Sequence, residues 1–252
     1  MELNAAPKPG GEIRVVGIGP GGRDGLTLGA WDAIATADII VGYKTYTDQL
    51  RPWFPDMDYR ESGMTQEVDR CIQVLELARL GQTVALVSGG DSGIYGMAGI
   101  MLEVAQTAGD GIAVRVISGV TALSEAAACL GAPIMHDFAV VSLSDLMTPL
   151  DLILRRVEAA AKADFVLCLY NPKSHQRQEH IRQAHALVCQ HRADHTPVGI
   201  VWNAGRPAAR QELHTLATML AADIDMSSIV IIGNSQTFVH DGKMITPRGY
   251  SR

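Results

Sequence analysis

Short β-branched runs alternate with longer amphipathic stretches along most of the chain, and this alternation restricts the fold more than any other feature. Two of the runs, FVLCLY and IVIIG, are apolar at nearly every position, so both faces of each strand should be buried. Strands buried on both faces belong to sheets covered by helices on each side. The pattern therefore predicts an α/β protein with two α/β domains and mostly parallel sheets.

The alternation also gives approximate element positions. Strands are predicted at residues 13–18, 38–41, 83–88, 113–117, 139–142, 165–170, 198–202 and 229–233. Helices are predicted at residues 26–36, 66–80, 95–108, 121–130, 149–163, 175–191 and 208–221.

Three further stretches depart from this pattern. Residues 43–63 are aromatic and broken by proline, which predicts a partly irregular excursion over a cleft. The closing FVHDGKMITP predicts a hairpin with its turn at Asp241 and Gly242. Residues 1–11, rich in Pro and Gly, are predicted to be a flexible tail.

The sequence GAP at residues 131–133 ends a predicted helix and is a plausible joint between domains. A boundary there gives an N-terminal domain of residues 12–130 and a C-terminal domain of residues 131–252. Both lengths are normal for α/β domains.

Composition excludes several classes of protein. The 252 residues carry a formal net charge of −6 with no basic stripe, which argues against nucleic-acid binding. No stretch approaches 18 uninterrupted apolar residues, so no membrane span is expected. The four cysteines form no C-x-x-C pair, which indicates free thiols in a reducing compartment. A soluble cytoplasmic protein is expected.

The first glycine-rich stretch, VVGIGPGGRDGLT, has Gly17, Gly19 and Gly22 in the spacing of a dinucleotide-binding loop. Such a loop needs a helix that opens at the third glycine and an acidic residue at the end of the second strand. Here the helix is predicted to open only at residue 26 or 27, and Asp38 begins the second strand. A tight turn and an NAD-dependent oxidoreductase both stay open as alternatives.

A second glycine loop, VALVSGGDSGIYGMAG, carries Asp91 and no lysine or arginine. A carboxylate in such a loop suits a ribose diol, an ammonium or a sulfonium rather than a phosphate. The alternative is that Asp91 caps the following helix.

Small or amide-bearing residues follow four other predicted strands, where ligands of open α/β sheets bind. These residues offer hydrogen bonds to a heterocycle and a ribose with few charges. They are Ser118, Thr121, Tyr170, Asn171, Asn203, Ala204, Gly233, Asn234 and Ser235.

Five histidines between residues 175 and 195 raise the question of a metal site. Their spacings of five, five, six and four do not share one helix face, and no Cys or Glu ligand adjoins the final pair. A solvated helix is the preferred interpretation, and no metal is predicted.

The ordered set GIGPGG, VGYKTY, SGGDSGIYGMA, ISGVTALSEAAACLGAPIMHDF, LYNPKS, VWNAGRP, IIGNSQTF and TPRGY resembles the tetrapyrrole (corrin/porphyrin) methylase family. The resemblance extends from residue 13 to residue 250, and its specificity lies in the order of motifs that are individually weak. It implies two α/β domains with S-adenosylmethionine in the cleft between them, usually in a homodimer.

Within the family, the likeness is strongest to members that methylate C17 of precorrin-3B. It implies an S-adenosylmethionine-dependent C-methyltransferase that contracts the ring to give precorrin-4 in cobalamin biosynthesis. A cobalt-containing substrate of the anaerobic route is the close alternative. An NAD-dependent oxidoreductase and a non-enzymatic ligand-binding module are the alternatives from other classes.

The resemblance also assigns site residues. Those for the methyl donor are Pro20, Gly89, Gly90, Asp91, Ile94, Thr121, Ala122, Tyr170, Asn171, Asn203, Ala204, Gly233, Asn234 and Ser235. One departure from the family is Ser92, where many relatives have proline.

A tetrapyrrole carries several carboxylate arms, which a protein of net negative charge must bind through local cations. The candidates in or beside the motifs are Arg23, Lys44, Lys173, Arg206, Arg210 and Arg248. Ring contraction also needs proton movement, for which the weak catalytic candidates are His136, Asp137, Tyr46 and Glu125.

Overall fold

The computed structural model describes residues 11–63 and 66–250, so the first ten residues of the predicted tail lie outside the described residues. The chain divides into two units, the first ending at Thr121 and the second beginning at Ala122.

The first unit contains one five-stranded sheet with helices on both faces. The strands are β1 Glu12–Gly17, β2 Ile39–Tyr43, β3 Asp58–Ser62, β4 Thr83–Ser88 and β5 Ala113–Ile117. Their order is β3-β2-β4-β1-β5, and every neighbouring pair is parallel. The helices are α1 Leu28–Ala35, α2 Lys44–Leu50, α3 Glu67–Arg79 and α4 Ala98–Ala108.

Alternating strand residues build a separate core on each face of this sheet. Val15 of β1 packs in the cluster that includes residues of α3 and α4. Its neighbour Val16 packs in the cluster that includes residues of α1 and α2. Because both faces are covered, the prediction of a parallel sheet in an α/β layer arrangement is confirmed for this unit.

The segment 43–63 is more regular than predicted. It contains α2 and the edge strand β3, whose five residues pair with β2 in parallel register. The aromatic residues Trp53 and Tyr59 pack against the core on the α1 face, which explains their presence in this segment.

The second unit has a larger and a smaller sheet. Its helices are α5 Ala122–Leu130, α6 Leu150–Lys162 and α7 His180–Val188, with a 3₁₀ turn at Met219–Ala221. Its strands are β6 Gly131–Ala132, β7 Phe138–Ser142, β8 Val166–Tyr170, β9 Pro197–Trp202, β10 Arg210–Thr215, β11 Ser228–Ile232, β12 Phe238–His240 and β13 Lys243–Ile245.

The larger sheet, in the order β10-β9-β11-β8-β7, is mixed. Only β7 and β8 are parallel, whereas the other three neighbouring pairs are antiparallel. The prediction of mostly parallel sheets is therefore wrong for this unit. The physical reason is that no α-helix stands between β9 and β10 or between β10 and β11, and short connections return the chain antiparallel.

The helix predicted at residues 208–221 is also wrong, because this stretch forms β10 and the 3₁₀ turn. The sequence RQELHT has no β-branched run to signal a strand. Pairing with β9 decides the conformation, and the Arg210 guanidinium packs over the Trp202 ring at 3.7 Å from its centroid. Tertiary contacts override the local preference here.

Helix α5 belongs to the second unit rather than the first. Leu123, Ala126 and Leu130 share a buried cluster with Val166 and Val201 of the larger sheet. This packing places the division of the chain before α5, whereas the sequence predicted the joint after its last residue.

The predicted C-terminal hairpin is confirmed. Strands β12 and β13 are antiparallel and are joined by Asp241 and Gly242. Both turn residues have positive φ, at 47° and 69°, as a two-residue type I′ turn requires. Strand β13 also pairs in parallel with the short β6.

Candidate functional site

Three loops of the first unit follow the carboxyl ends of β1, β4 and β5, which are neighbours in the parallel sheet. Since parallel strands end at one edge, residues 18–27, 89–97 and 118–121 meet there. Hydrogen bonds join the first two loops directly. The Gly19 amide donates to the Gly90 carbonyl over 3.0 Å, and the Gly90 amide donates to the Gly19 carbonyl over 2.7 Å.

This pair of hydrogen bonds, the Gly19–Gly90 bridge, explains the glycine spacing of the first loop. A Cβ atom on Gly17 would lie 2.7 Å from the Gly90 carbonyl oxygen and 2.8 Å from the Gly119 amide nitrogen. Gly19 has φ of +77°, and a Cβ there would overlap the Gly25 carbonyl. The glycines thus allow the three loops to pack backbone against backbone.

The same bridge makes the loop unlike a diphosphate cradle. The Ile18 amide already donates to the carbonyl of Ser88, at the end of β4, and the Gly19 amide donates to the carbonyl of Gly90 in the second loop. Helix α1 begins only at Leu28, where Thr27 accepts a capping hydrogen bond from the Ala30 amide over 3.1 Å. A diphosphate would need free amides at a helix that opens directly after the glycines.

Asp91 ties the second loop to the third. One carboxylate oxygen accepts from the Gly93 amide over 2.8 Å and the other accepts from the Gly119 amide over 3.0 Å. Helix α4 begins at Ala98, with Met97 at its cap position, so the interpretation of Asp91 as the helix cap is wrong. Each carboxylate oxygen keeps a lone pair for a further donor.

Ser92 replaces the ring of a proline with a hydroxyl that anchors the same loop. Its Oγ is fully buried and lies 3.3 Å from the Val15 carbonyl oxygen and 3.2 Å from the Ile117 carbonyl oxygen. The departure from the family pattern therefore adds a polar tie between the loop and strands β1 and β5.

Several other predicted residues lie at or near this edge. The Tyr46 ring covers Gly89, where a Cβ would lie 2.6 Å from the ring carbon Cε1. Ile94 is 42% exposed beside the glycines, whereas Pro20 is buried in the first loop. Thr121, the last residue of the first unit, is half-buried.

The two cations predicted in the first unit are exposed and already have partners. Lys44 contacts Asp48 over 2.8 Å, and this hydrogen bond raises the pKa of the lysine ammonium. The Arg23 guanidinium lies over the Trp31 ring at 5.1 Å from its centroid. Neither contact prevents a flexible surface cation from turning to a ligand.

In the second unit, β8 ends at Tyr170, and Asn171 follows it. The Tyr170 phenol oxygen accepts from the Leu123 amide over 2.9 Å, which brings the tyrosine to the start of α5 beside Ala122. Asn171 has φ of 49°, in the left-handed region, and its side-chain amide donates to Ser142 Oγ over 2.9 Å.

Strand β9 ends at the same edge, because β8 and β9 both run antiparallel to β11. Asn203 follows it with φ of 50°, and its amide donates to the Ser227 carbonyl over 3.1 Å. The next residue, Ala204, is buried at 6% exposure. The structure thus brings Tyr170, Asn171, Asn203 and Ala204 to one edge of the sheet.

Gly233, Asn234 and Ser235 lie at the opposite edge, so their predicted place in one pocket with Asn203 is corrected. They follow β11, which runs against its neighbours, and the Gly233 amide donates to Pro197 at the start of β9 over 2.9 Å. Ser235 is instead held by Asp164, to which its hydroxyl donates over 2.6 Å.

Three other predicted residues share one cavity of the second unit. His136, Asp137 and Arg248 line a cavity of about 550 Å³ together with the exposed apolar side chains of Met135 and Phe138. This cavity combines a cation, a histidine, a carboxylate and apolar walls.

The remaining candidates also lie in the second unit, outside this cavity. Glu125 lies half-buried on α5, and Arg206 is half-buried after β9. Lys173 lines a separate cavity of about 440 Å³. Arg210 is the first residue of β10 and pairs with Trp202, the last residue of β9; its guanidinium contacts Glu212 over 2.7 Å and lies over the Trp202 ring.

Sequence reasoning missed one buried charge at the edge that holds Asn171 and Asn203. Arg177 is 8% exposed, although its neighbours in HQRQEH are polar and mostly exposed. An arginine in a polar stretch gives no sequence signal of burial, so only the packing reveals it.

The model of the Tetrapyrrole (Corrin/Porphyrin) Methylases family matches residues 12–220. The chain belongs to the tetrapyrrole methylase family. This tetrapyrrole methylase is 47% identical over 239 residues to the probable cobalt-factor III C(17)-methyltransferase of Salmonella typhimurium, covering 95% of this chain and 99% of that protein. It is 43% identical over 246 residues to the cobalt-factor III methyltransferase of Priestia megaterium, covering 96% of this chain and 46% of that longer protein.

Solved structures agree with this membership. The methyltransferase CobJ superposes with a TM-score of 0.87 at 30% identity, over 94% of this chain and 100% of that chain. A uroporphyrin-III C-methyltransferase from Thermus thermophilus, complexed with S-adenyl homocysteine, superposes with a TM-score of 0.69. At 23% identity over 88% of this chain and 97% of that chain, the second likeness shows the fold alone. The tetrapyrrole methylase is thus a methyltransferase.

Two searches of the described residues complete the description. In residues 11–63 and 66–250, no three His, Cys, Asp or Glu side chains are grouped so as to hold a metal ion. The helices of these residues are all too short or too polar to cross a membrane.

Proposed function

We propose that the protein is an S-adenosylmethionine-dependent C-methyltransferase that methylates C17 of precorrin-3B or of its cobalt-containing counterpart, with ring contraction, in cobalamin biosynthesis. The donor assignment rests on the chemistry around Asp91, at the edge of the first-unit sheet where the loops after β1, β4 and β5 meet. Its carboxylate suits a sulfonium or a ribose, residues 88–97 and 117–121 contain no lysine or arginine, and the glycine amides are engaged in packing the loops together.

The names of the relatives and the motif order of the sequence support different macrocycles as the substrate. Relatives named as cobalt-factor III methyltransferases are 41–47% identical over 94–96% of this chain. Those names favour cobalt-factor III as the first substrate to test. The motif order of the sequence supports precorrin-3B as the second.

The donor residues of each unit are assigned separately. In the first unit they are Pro20, Gly89, Gly90, Asp91, Ile94 and Thr121. In the second unit they are Ala122, Tyr170, Asn171, Asn203 and Ala204, which lie at one edge of the larger sheet or beside it. Gly233, Asn234 and Ser235 are left out because the antiparallel direction of β11 places them at the other edge.

The carboxylate arms of the macrocycle are assigned to cations that follow the same strand ends as the donor residues. Lys44 follows β2 in the first unit, and Lys173 and Arg206 follow β8 and β9 in the second. The cavity of His136, Asp137 and Arg248 is left out, because it lies beside Phe138 at the start of β7 and therefore at the other edge of the larger sheet.

S-adenosylmethionine supplies an activated methyl group on a positively charged sulfur. The protein's own residues then have to orient the two substrates and exclude water. Positioning of this kind lowers a barrier by about 7–11 kcal/mol in well-oriented systems. No nucleophilic side chain is needed, since the methyl group transfers directly to the ring carbon.

The full reaction is tested by incubating the protein with ¹³C-methyl-labelled donor and either cobalt-factor III or precorrin-3B, and then locating the label by NMR. Label at C17 of a contracted ring is the expected result. Binding of S-adenosylhomocysteine, and no response to NAD(H), is expected in parallel calorimetry. NAD(H) binding with no methyl transfer to either macrocycle would overturn the proposal in favour of an oxidoreductase.

Two further properties are part of the proposal. All four cysteines are free thiols, which supports a reducing compartment such as the cytoplasm. The family resemblance implies a homodimer, for which sedimentation velocity at several protein concentrations is the direct measurement.

A further inference from the structure

A buried guanidinium joins separate segments at the edge of the second unit that holds Asn171 and Asn203. Arg177 Nη1 donates to the Leu143 carbonyl over 3.2 Å, in the segment that follows β7. Its Nη2 lies 3.4 Å from the sulfur of Met226, in the loop that precedes β11. The arginine itself belongs to the segment that follows β8, so one side chain connects three segments.

The outer part of the same network fixes the guanidinium. Asp145 Oδ1 lies 3.9 Å from Arg177 Nε, and Asp145 Oδ2 lies 3.0 Å from His180 Nε2. The Arg177 backbone amide also donates to Ser174 Oγ over 3.1 Å. The guanidinium, in a residue only 8% exposed, therefore has a carbonyl as hydrogen-bond partner and a carboxylate nearby, while a tight turn fixes its backbone.

The three segments are the ones on which the assigned donor residues depend. The Leu143 amide donates to the Tyr170 carbonyl over 2.9 Å, and Ser227, next to Met226, accepts from the Asn203 amide. Asn171 and Asn203 both hold left-handed backbone conformations, at φ of 49° and 50°. Such conformations persist only where the surrounding structure fixes them.

We propose that Arg177 is a positioning residue for the methyl-donor site: it fixes the segments that carry Tyr170, Asn171 and Asn203 without touching the donor. The inference rests on the proposed function, because it takes those three residues as donor contacts. If Arg177 has this role, replacing it weakens donor binding by more than an equal loss of fold stability elsewhere in the sheet would.

The chain offers a matched control at the opposite edge of the same sheet. Arg192 is also buried, at 9% exposure, and it also pairs with an aspartate, Asp164, over 2.6 Å. Its Nη2 donates to the Phe165 carbonyl over 3.0 Å, as Arg177 donates to Leu143. None of these partners is an assigned donor residue, so Arg192 has the structural role without the positioning role.

The experiment compares Arg177→Lys and Arg192→Lys in the full chain. Thermal unfolding gives the stability loss, and calorimetric titration with S-adenosylhomocysteine gives the Kd. Lysine keeps the charge but has no planar fork to hold several partners at once. We expect both midpoints to fall, while the Kd rises about tenfold in Arg177→Lys and by less than about twofold in Arg192→Lys. Asp145→Asn, an outer substitution that keeps the buried cation, should raise the Kd by about two- to fourfold.

The outcomes separate the two proposals. If Arg177→Lys does not fold, Asp145→Asn decides, and a wild-type Kd there overturns the inference. Equal Kd changes in the two arginine variants would also overturn it, because they would show a general effect of lost stability. If the wild-type protein binds no S-adenosylhomocysteine, the proposed function fails first, whatever the variants do.

Discussion

The two large sheets place the residues at their strand ends in different ways. In the first unit every strand pair is parallel, so the loops after β1, β4 and β5 meet at one edge. In the second unit β11 runs against β8 and β9, so the residues that follow it lie at the other edge. Strand-end residues with similar composition therefore form one site only where the strands share a direction.

The largest expected effect is in the first unit, where three loops pack through glycine. In Gly17→Ala, the new Cβ would stand 2.7–2.8 Å from three backbone atoms that cannot move independently. We expect a loss of about 3 kcal/mol or more in the free energy of unfolding by urea, since overpacking is felt fully at backbone atoms. S-adenosylhomocysteine binding should be lost with it.

Gly99→Ala is the control for this prediction. A Cβ at Gly99, in α4 of the same unit, meets nothing within 4 Å. Alanine there should stabilise the protein by about 0.5–1 kcal/mol, because glycine is a poor helix former. A Gly17→Ala variant as stable as wild type would contradict the close packing of the loops.

The next effect concerns Asp91. Asparagine has one acceptor oxygen where two amides, of Gly93 and Gly119, now donate to two oxygens. Its NH₂ group would face one of those amide donors. Charge-assisted hydrogen bonds contribute about 1.5–3 kcal/mol each, so the Kd for S-adenosylhomocysteine in Asp91→Asn should rise about 10- to 100-fold. A wild-type Kd would show that the loop edge of the first unit does not bind the donor.

Two substitutions test the separation of the edges in the second unit. Asn203→Ala removes a side chain at the edge of Tyr170 and strains φ of 50°, so the Kd for S-adenosylhomocysteine should rise about three- to tenfold. Asn203→Gly, which tolerates that φ, separates the amide from the backbone effect.

Ser235→Ala is the counterpart at the other edge. It loses the 2.6 Å hydrogen bond to Asp164, which should lower the midpoint of thermal unfolding slightly. Donor binding should stay within about twofold of wild type. A larger Kd change in Ser235→Ala than in Asn203→Ala would return the residues after β11 to the donor site.

Much of the fold could be predicted from the sequence because its strands are buried on both faces. Runs such as Val84–Val87 and Leu167–Leu169 need helices on each side, and those helices are present. The direction of β11 could not be predicted in the same way. IVIIG is equally apolar in a parallel and an antiparallel strand, and the polar sequence of β10, the strand that turns the chain back, predicts a helix instead.

For the candidate site, the sequence predicts residues but not their contacts. The resemblance assigned Asp91 and Tyr170 by their motifs, and the structure adds what each one contacts. The burial of Arg177 depends on the Leu143 carbonyl and the sulfur of Met226, which lie 34 and 49 residues away. No local pattern carries such long-range partners, so the role of this residue cannot be inferred from the sequence.

A smaller effect is expected for two predicted cations, Lys44, which is exposed, and Arg206, which is half-buried. Lys44→Ala and Arg206→Ala should each raise the KM for the tetrapyrrole by about two- to fivefold, because ion pairs that water reaches contribute little. The KM for the methyl donor should stay unchanged. Arg60→Ala is a control, since Arg60 is exposed on the edge strand β3 with Asp58 at 3.4 Å. If Arg60→Ala has the same effect, the charge acts over long range and not within a site.

The smallest expected effect is in the reactivity of the buried thiols, which compares the cores of the two units. Burial raises the pKa of Cys71 to about 11 in the first unit and that of Cys168 to about 12 in the second. At pH 8 the thiolate fraction of each is then about 0.1% or less. Cys129 and Cys189 are only half-buried, and burial also raises their pKa values. A disulfide reagent at pH 8 should therefore label two cysteines in the native protein and four in urea. Since the thiolate is the reactive form, labelling of Cys168 as fast as Cys129 would show that the second core opens more readily than its complete burial implies.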